Sequence, residues 1–312
     1  MLTRTKGSGE DGIRTLAEDI LKAVAHRKWL EESWSVEELQ PRWSGKEMKL
    51  GLALELLERV GHLERAGGKW RLSAAGRERA VELLRAHRLV ETYLARKEGL
   101  PTDALHAEAD KAEHYLSSEG INQLADSLNR PRFDPHGDPI PEREHDLHEE
   151  LHQPLAGVSE GNCVRIAHIE DEPEEDFEQL TTMGLALELP IKVLQKGAET
   201  IRIELAGEAL ELSARLASHV EIVPLGEDEI YPDDLQRLAS LKPGEQGTVA
   251  FISPACMGPE RHRLLDFGLV PGSEVSCEFS SPFGSPIAYS LRGSTIGLRL
   301  QQARNIFIRR EA

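Results

Sequence analysis

The stretch LHAEADKAEHYLS, residues 105–117, decides how the chain is read. As a helix it carries His106, Asp110, Glu113 and His114 at offsets of zero, four, seven and eight. These offsets share one face, because an α-helix turns once every 3.6 residues. Just upstream, AHRLVE sets His87 and Glu91 four apart on one face of a preceding helix. An apolar core gains nothing from three imidazoles and three carboxylates unless they are paired or bind something. Imidazole and carboxylate donors without a thiolate suit Mn2+ or Fe2+, and Zn2+ or Co2+ also accept them.

Composition narrows the class. At 312 residues the chain has room for two or three domains, and 39% hydrophobic with 29% charged residues describes a soluble, folded protein. No apolar run approaches the ~20 residues of a membrane span, so no membrane insertion is expected. The opening MLTRTKGSGED lacks the apolar core of a secretory signal. Cys163, Cys256 and Cys277 form no CxxC pair, which fits a reducing cytoplasm better than a disulfide framework. There is no GxSxG, P-loop or GxGxxG pattern, and no nucleophile or general base beyond the presumptive ligands, so an enzyme is not expected. The net charge of −17 is unevenly spread: residues 1–80 hold 15 Lys/Arg against 13 Asp/Glu, the remainder 22 against 41. Any nucleic-acid surface therefore belongs in the N-terminal quarter.

That quarter reads as helix, short helix, helix, hairpin. Residues 15–27 carry an apolar stripe of Leu16, Ile20, Leu21 and Val24. In SVEELQPRW, Ser35 and Glu38 have capping-box spacing. In SGKEMKLGLALELLERVG, Ser44 is the expected cap and Met48, Leu52, Leu56 and Val60 (or Leu57) the inward face, with Gly61 as the stop. HLERAGGKWRLS turns at Gly67-Gly68 as a β-hairpin. This order is that of a winged helix-turn-helix. Its DNA-contacting candidates are Lys46 and Lys49 at the front of the third helix, Ser44 and Arg42 before it, and Arg65 and Lys69 on the wing.

A long helix follows from Ser73 to about Arg96, broken by Gly99-Leu100-Pro101; then come the opening stretch, a helix over SSEGINQLADSLN, and the turn PRFDPHGDPIP. His145, His148 and His152 lie in the acidic linker that comes next, and a solvated linker is the favoured reading. From Val158 the pattern alternates as in strands and repeats at an offset of roughly 84–86 residues. Gly184 answers Gly268, Gly207 answers Gly293, Leu212 answers Leu298 and Ala217 answers Ala303. Two small β-barrels of about 70 residues each fit this repeat.

The winged helix, HRLVE, LHAEADKAEH and DPHGDPIP, taken in that order, resemble the metal-dependent repressors of the diphtheria toxin repressor (DtxR/MntR) class. The segment LKPGEQGTV…RLLDFGLVPGSEV…PIAYSLRGSTIGLRLQQARNIFI is similar to the FeoA family, SH3-like domains associated with bacterial ferrous-iron transport. The resemblance implies a multidomain α+β chain. Its parts would be a winged helix-turn-helix over 1–72, a helical metal-binding and dimerisation domain over 73–141, a linker over 142–157, SH3-like barrels over 158–225 and 239–312, and a linker over 226–238. It implies a homodimer that binds double-stranded operator DNA when metal is bound. It matches His87, Glu91, His106, Glu113 and His114 to ligands, and places Asp110 where iron-type members have Cys and manganese-type members Glu. It adds Asp19 from the first helix and, more loosely, Glu172 and Asp176 from the first barrel. Lys22 stands where manganese-type members have a carboxylate, which argues against a close two-metal centre. The expected function is a cytoplasmic, Mn2+- or Fe2+-dependent transcriptional regulator of metal homeostasis, a repressor acting as a dimer. The alternative is a FeoA-type adaptor in contact with iron-transport machinery, its winged helix kept as a dimer scaffold.

Overall fold

The computed structural model describes residues 9–26, 33–100, 104–142, 152–226, 229 and 231–310. Most of the acidic linker, with His145 and His148, lies outside the described residues, as does the side chain of Arg42. The described residues form two compact units: those within 1–92, 106–134 and 139–148 make the first, and those within 93–105, 135–138 and 149–312 the second.

In the first unit, α1 (Gly9–His26) precedes β1 (Ser33–Trp34), α2 (Val36–Leu39), α3 (Glu47–Arg59) and the hairpin of β2 (Leu63–Ala66) and β3 (Lys69–Leu72). The strands form a small sheet in the order β1-β3-β2. Gly67 and Gly68 both take positive φ, which lets a two-residue turn follow the twist of its strands. The apolar stripe of α1, Leu16, Ile20, Leu21 and Val24, is buried against Leu50, Leu54 and Leu57 of α3 together with Trp34, Trp43 and Trp70. Full burial of one such side chain contributes about 1.5–3 kcal/mol. The Ser35 N–H donates to Glu38 at 2.6 Å, as the capping-box spacing requires.

Two expectations about α3 are corrected. Its inward face is Leu50, Ala53, Leu54 and Leu57, whereas Met48 is 82% exposed and Leu52 and Val60 also face solvent. The stripe is rotated because α1 packs along the Ala53–Leu57 side. Ser44 does not cap the helix; Lys46 occupies the N-cap without a side-chain bond, and Glu47 instead accepts from the Gly45 N–H at 2.9 Å.

Helix α4 (Ala74–Tyr93) ends in a π-helical turn, Leu94–Glu98. Helix α5 (Leu105–Ala112) tightens into a 3-10 turn, Glu113–Tyr115, so the last two members of the quoted stretch sit on that turn rather than on an α-helix. Ser117 then caps α6 (Ser118–Ser127), accepting from the Gly120 N–H at 3.1 Å. Ala86 and Leu89 of α4 pack on Ile121, Ala125, Leu128 and Ile140, a small core separate from that of α1 and α3.

The second unit holds the repeat. In its first copy β4 (Gln153–Pro154), β5 (Cys163–Ile169), α7 (Glu174–Thr182), β6 (Pro190–Lys196), β7 (Thr200–Leu205), β8 (Glu208–Ser213), α8 (Ala214–Ser218) and β9 (Val220–Pro224) follow in turn. The second copy runs β10 (Leu235–Arg237), β11 (Gln246–Ile252), α9 (Gly258–Asp266), β12 (Glu274–Ser280), β13 (Ile287–Leu291), β14 (Ser294–Leu298), α10 (Leu300–Arg304) and β15 (Ile306–Arg309). The sheets have matching orders, β4-β9-β5-β6-β7-β8 and β10-β15-β11-β12-β13-β14. Closed small barrels were expected; each copy is instead an open six-stranded antiparallel sheet whose end strands pair on one side only. The register slips at equivalent places, Ile166/His168 with Val249/Phe251 and Val193/Gln195 with Cys277/Phe279, so bulges bend both sheets alike. Gly184 and Gly268 share positive φ, and Ala217 and Ala303 are both fully buried. The copies are not independently packed: Leu235 and Phe307 of the second belong to the buried core of the first.

Candidate metal centre

Helices α1, α4 and α5 bring six of the seven helical candidates together as two triplets. His87, His106 and Asp110 form one, and Asp19, Glu113 and His114 the other; within each, one donor atom per residue lies within 4.8 Å of the rest. Glu91 joins the first triplet, with Oε1 3.0 Å from His87 Nε2 and 3.5 Å from His106 Nδ1. His87 Nε2 and His106 Nδ1 are themselves 3.1 Å apart. On the other side His114 Nε2 lies 3.1 Å from Asp19 Oδ1, and His114 Nδ1 2.8 Å from Glu18 Oε2.

Lys22 lies between the triplets. It is 6% exposed, and its ammonium bonds Asp110, reaches Glu113 Oε1 at 2.9 Å and lies 3.2 Å from His87 Nδ1. Burial works against its charge, but Glu113 and Asp110 outweigh that and raise its pKa. Asp110 is lowered: burial opposes its ionisation, and Lys22 with the two histidines overcomes it. For His87, burial disfavours the proton, but Glu91 and a short contact to Glu113 push its pKa up. His114 is pushed up to about 9, because Asp19 and Glu18 more than offset its burial.

Glu18 is a member that the sequence reading missed. It binds Arg79 Nη2 through Oε1 at 2.8 Å while its other oxygen meets His114. Burial opposes its charge, yet these two partners hold its carboxyl below the usual range. The adjacent acids in LAEDILK were the available signal. The looser candidates stand elsewhere. Asp176 is buried on α7, with Oδ1 2.8 Å from Arg215 Nη1 and Oδ2 3.6 Å from His219 Nε2, and Glu172 is exposed. Neither belongs to the two helical triplets.

The donor set fits a divalent cation. Four carboxylates (Asp19, Glu91, Asp110, Glu113) crowd three imidazoles, and the positive charges among them are Lys22 and the protonated His114. Excess negative charge withdrawn from water is costly unless a cation accompanies it.

Of the DNA-contacting candidates, Ser44, Lys46 and Lys49 are exposed at the front of α3. Arg65 packs over the Trp70 ring at 4.1 Å with Nε 3.4 Å from Glu58, and Lys69 lies 3.9 Å from Glu38. Such exposed pairs are weak, about 0–1 kcal/mol, and yield readily to a phosphate.

Residues 73–142 match the family model "Iron dependent repressor, metal binding and dimerisation domain", and residues 153–224 and 236–310 each match the FeoA domain. The iron-dependent repressor IdeR of Mycobacterium tuberculosis is 37% identical over 114 residues, 36% of this chain and 48% of that protein. The diphtheria toxin repressor of Corynebacterium glutamicum is 27% identical over 161 residues, 48% of this chain and 70% of that one. A solved manganese-dependent transcriptional repressor in complex with manganese superposes with a TM-score of 0.60 at 26% identity, covering 67% of this chain and all of that one. The chain spans about half the length of the mycobacterial relatives. The chain is thus similar to metal-dependent repressors over its N-terminal part and matches the FeoA domain twice over its C-terminal part. Among the described residues no helix is long and apolar enough to cross a membrane.

Proposed function

We propose that this chain is a metal-responsive transcriptional repressor, not an enzyme, that acts in the cytoplasm as a homodimer on double-stranded operator DNA. The observation that carries this reading is the convergence of Asp19 from α1, His87 and Glu91 from α4, and His106, Asp110, Glu113 and His114 from α5 and its 3-10 turn. In this reading residues 1–72 are a winged helix-turn-helix, residues 73–141 sense metal and dimerise, and the two C-terminal sheets are open SH3-like modules.

The seven side chains supply the candidate ligands for Mn2+ or Fe2+, with Zn2+ or Co2+ as competitors distinguished by geometry and supply. A divalent ion bound there would supply a positive charge to be held by carboxylates and imidazoles of this cluster. Asp19 and Lys22 of α1 contact the same cluster, so ligation there holds α1, and with it the core packed against α3, in one position relative to α4 and α5. Ligation possible only in that arrangement favours it by RT ln(1 + [L]/Kd), about 2.7 kcal/mol at a hundredfold excess over Kd. Lys46 and Lys49, with Arg65 and Lys69 on the hairpin and Ser44 and Arg42 before α3, meet the operator.

The test is fluorescence anisotropy of a labelled fragment of the chain's own promoter region, titrated with chelator-stripped protein with and without Mn2+ or Fe2+. Metal-dependent binding is expected. Metal binding without any DNA binding would favour the FeoA-adaptor reading.

A further inference from the structure

Lys22 does what a ligated cation does. Its ammonium is almost wholly buried and lies against Asp110, both oxygens of Glu113 (2.9 and 3.1 Å) and His87 Nδ1 (3.2 Å). Two of the seven candidate ligands, Asp110 and Glu113, are therefore turned onto a positive charge that the chain carries itself, while the short contact of His87 Nδ1 with Glu113 leaves Nε2 as the ligating nitrogen of that ring. The residues beyond it are engaged too. Both nitrogens of His114 have carboxylate partners, Glu18 and Asp19, and Glu18 is further held by Arg79. His87 Nε2, Glu91 Oε1 and His106 Nδ1 converge with separations of 3.0 to 3.5 Å, all on the face of His87 opposite the ammonium. Asp110 Oδ2 lies 3.7 Å from His106 Nε2.

Resting on the metal-site reading above, we infer that Lys22 is a built-in cation: it takes the place of one of the two divalent ions such a ligand set has room for, so that each subunit loads a single metal, at the His87–Glu91–His106 end. Two like cations a few ångströms apart repel, and a tethered one cannot leave, so the ammonium opposes a second ion in its place. The same contacts join α1 to α4 and α5 before metal arrives, since Lys22 is on α1 and its partners are on α4, α5 and the turn that follows.

The experiment counts metal. Full-length chain is stripped with chelator, dialysed to equilibrium against Mn2+, and its manganese and protein are measured by elemental analysis and absorbance. One Mn2+ per subunit is expected for the wild type, none for His106→Ala, and two for Lys22→Glu, which exchanges the ammonium for a further ligand. Two Mn2+ in the wild type overturns the inference while leaving the metal-site reading intact; none in the wild type overturns the metal-site reading itself. A folded Lys22→Glu that still takes one also overturns the inference. If that variant does not fold, the wild-type count with the His106→Ala loss decides the matter. Amide exchange in chelator gives a second readout: α1 is protected in the wild type and exchanges at least tenfold faster in Lys22→Met, and equal protection in the two proteins removes the tether.

Discussion

Phe251 and Phe307 stack with ring centroids 4.7 Å apart and 17° between their planes. Both belong to the second FeoA copy, on β11 and β15, yet Phe307 is part of the buried core of the first. Phe307→Ala should therefore weaken both copies together. A cavity of this kind costs about 3–5 kcal/mol. Calorimetry should show the C-terminal transition moving to lower temperature as one event; two separated transitions would mean that the copies pack independently.

His168 and Asp138, within the same unit, set a pH dependence. His168 is raised to about 9: burial disfavours its proton, but Asp138, with Glu170 and Glu221 near, overcomes this. The protonated ring is thus favoured by folding. Its contribution is fully present below the unfolded value of about 6.5 and is lost as pH rises through 9. Urea unfolding should show less stability at pH 9.5 than at pH 6. His114 shifts in the same direction, so the Asp138→Asn variant isolates the His168 part: its loss between the two pH values should be smaller than in the wild type.

His106→Ala removes an imidazole from the triplet with His87 and Asp110. Calorimetric titration should find Mn2+ affinity reduced at least a hundredfold, with the fold retained because His106 is only half-buried. Unchanged affinity would reject this end of the site.

Lys49→Ala and Arg65→Ala should each weaken operator binding and reduce the slope of log K against log salt by about one, as loss of one phosphate contact does. Affinity and slope both equal to wild type would move the DNA surface elsewhere.

Much of this site was legible because helical spacing survives folding. His87 with Glu91, and His106 with Asp110, are one turn apart in the sequence, and His106 meets both His87 and Glu91 across the two helices. The repeat was legible for a similar reason: its paired glycines mark backbone positions that few other residues can occupy. The inward face of α3 was not, since Met48, Leu52 and Val60 make as good a stripe as Leu50, Ala53 and Leu57, and only the packing of α1 selects between them. Nor was sheet closure, which depends on pairing between ends that no local pattern encodes. Glu18 escaped notice because its partners, Arg79 and His114, are 61 and 96 residues away.

The ammonium of Lys22 among Asp110, Glu113 and His87 bears on how steeply such a protein can respond. Cooperativity in a ligand is bounded by the number of sites it fills. A dimer with one ion per subunit answers to the second power of free metal at most, where two per subunit would allow the fourth. With one of its cations written into the gene, the chain would work as a rheostat, grading its output over a broad span of metal supply instead of snapping at a threshold.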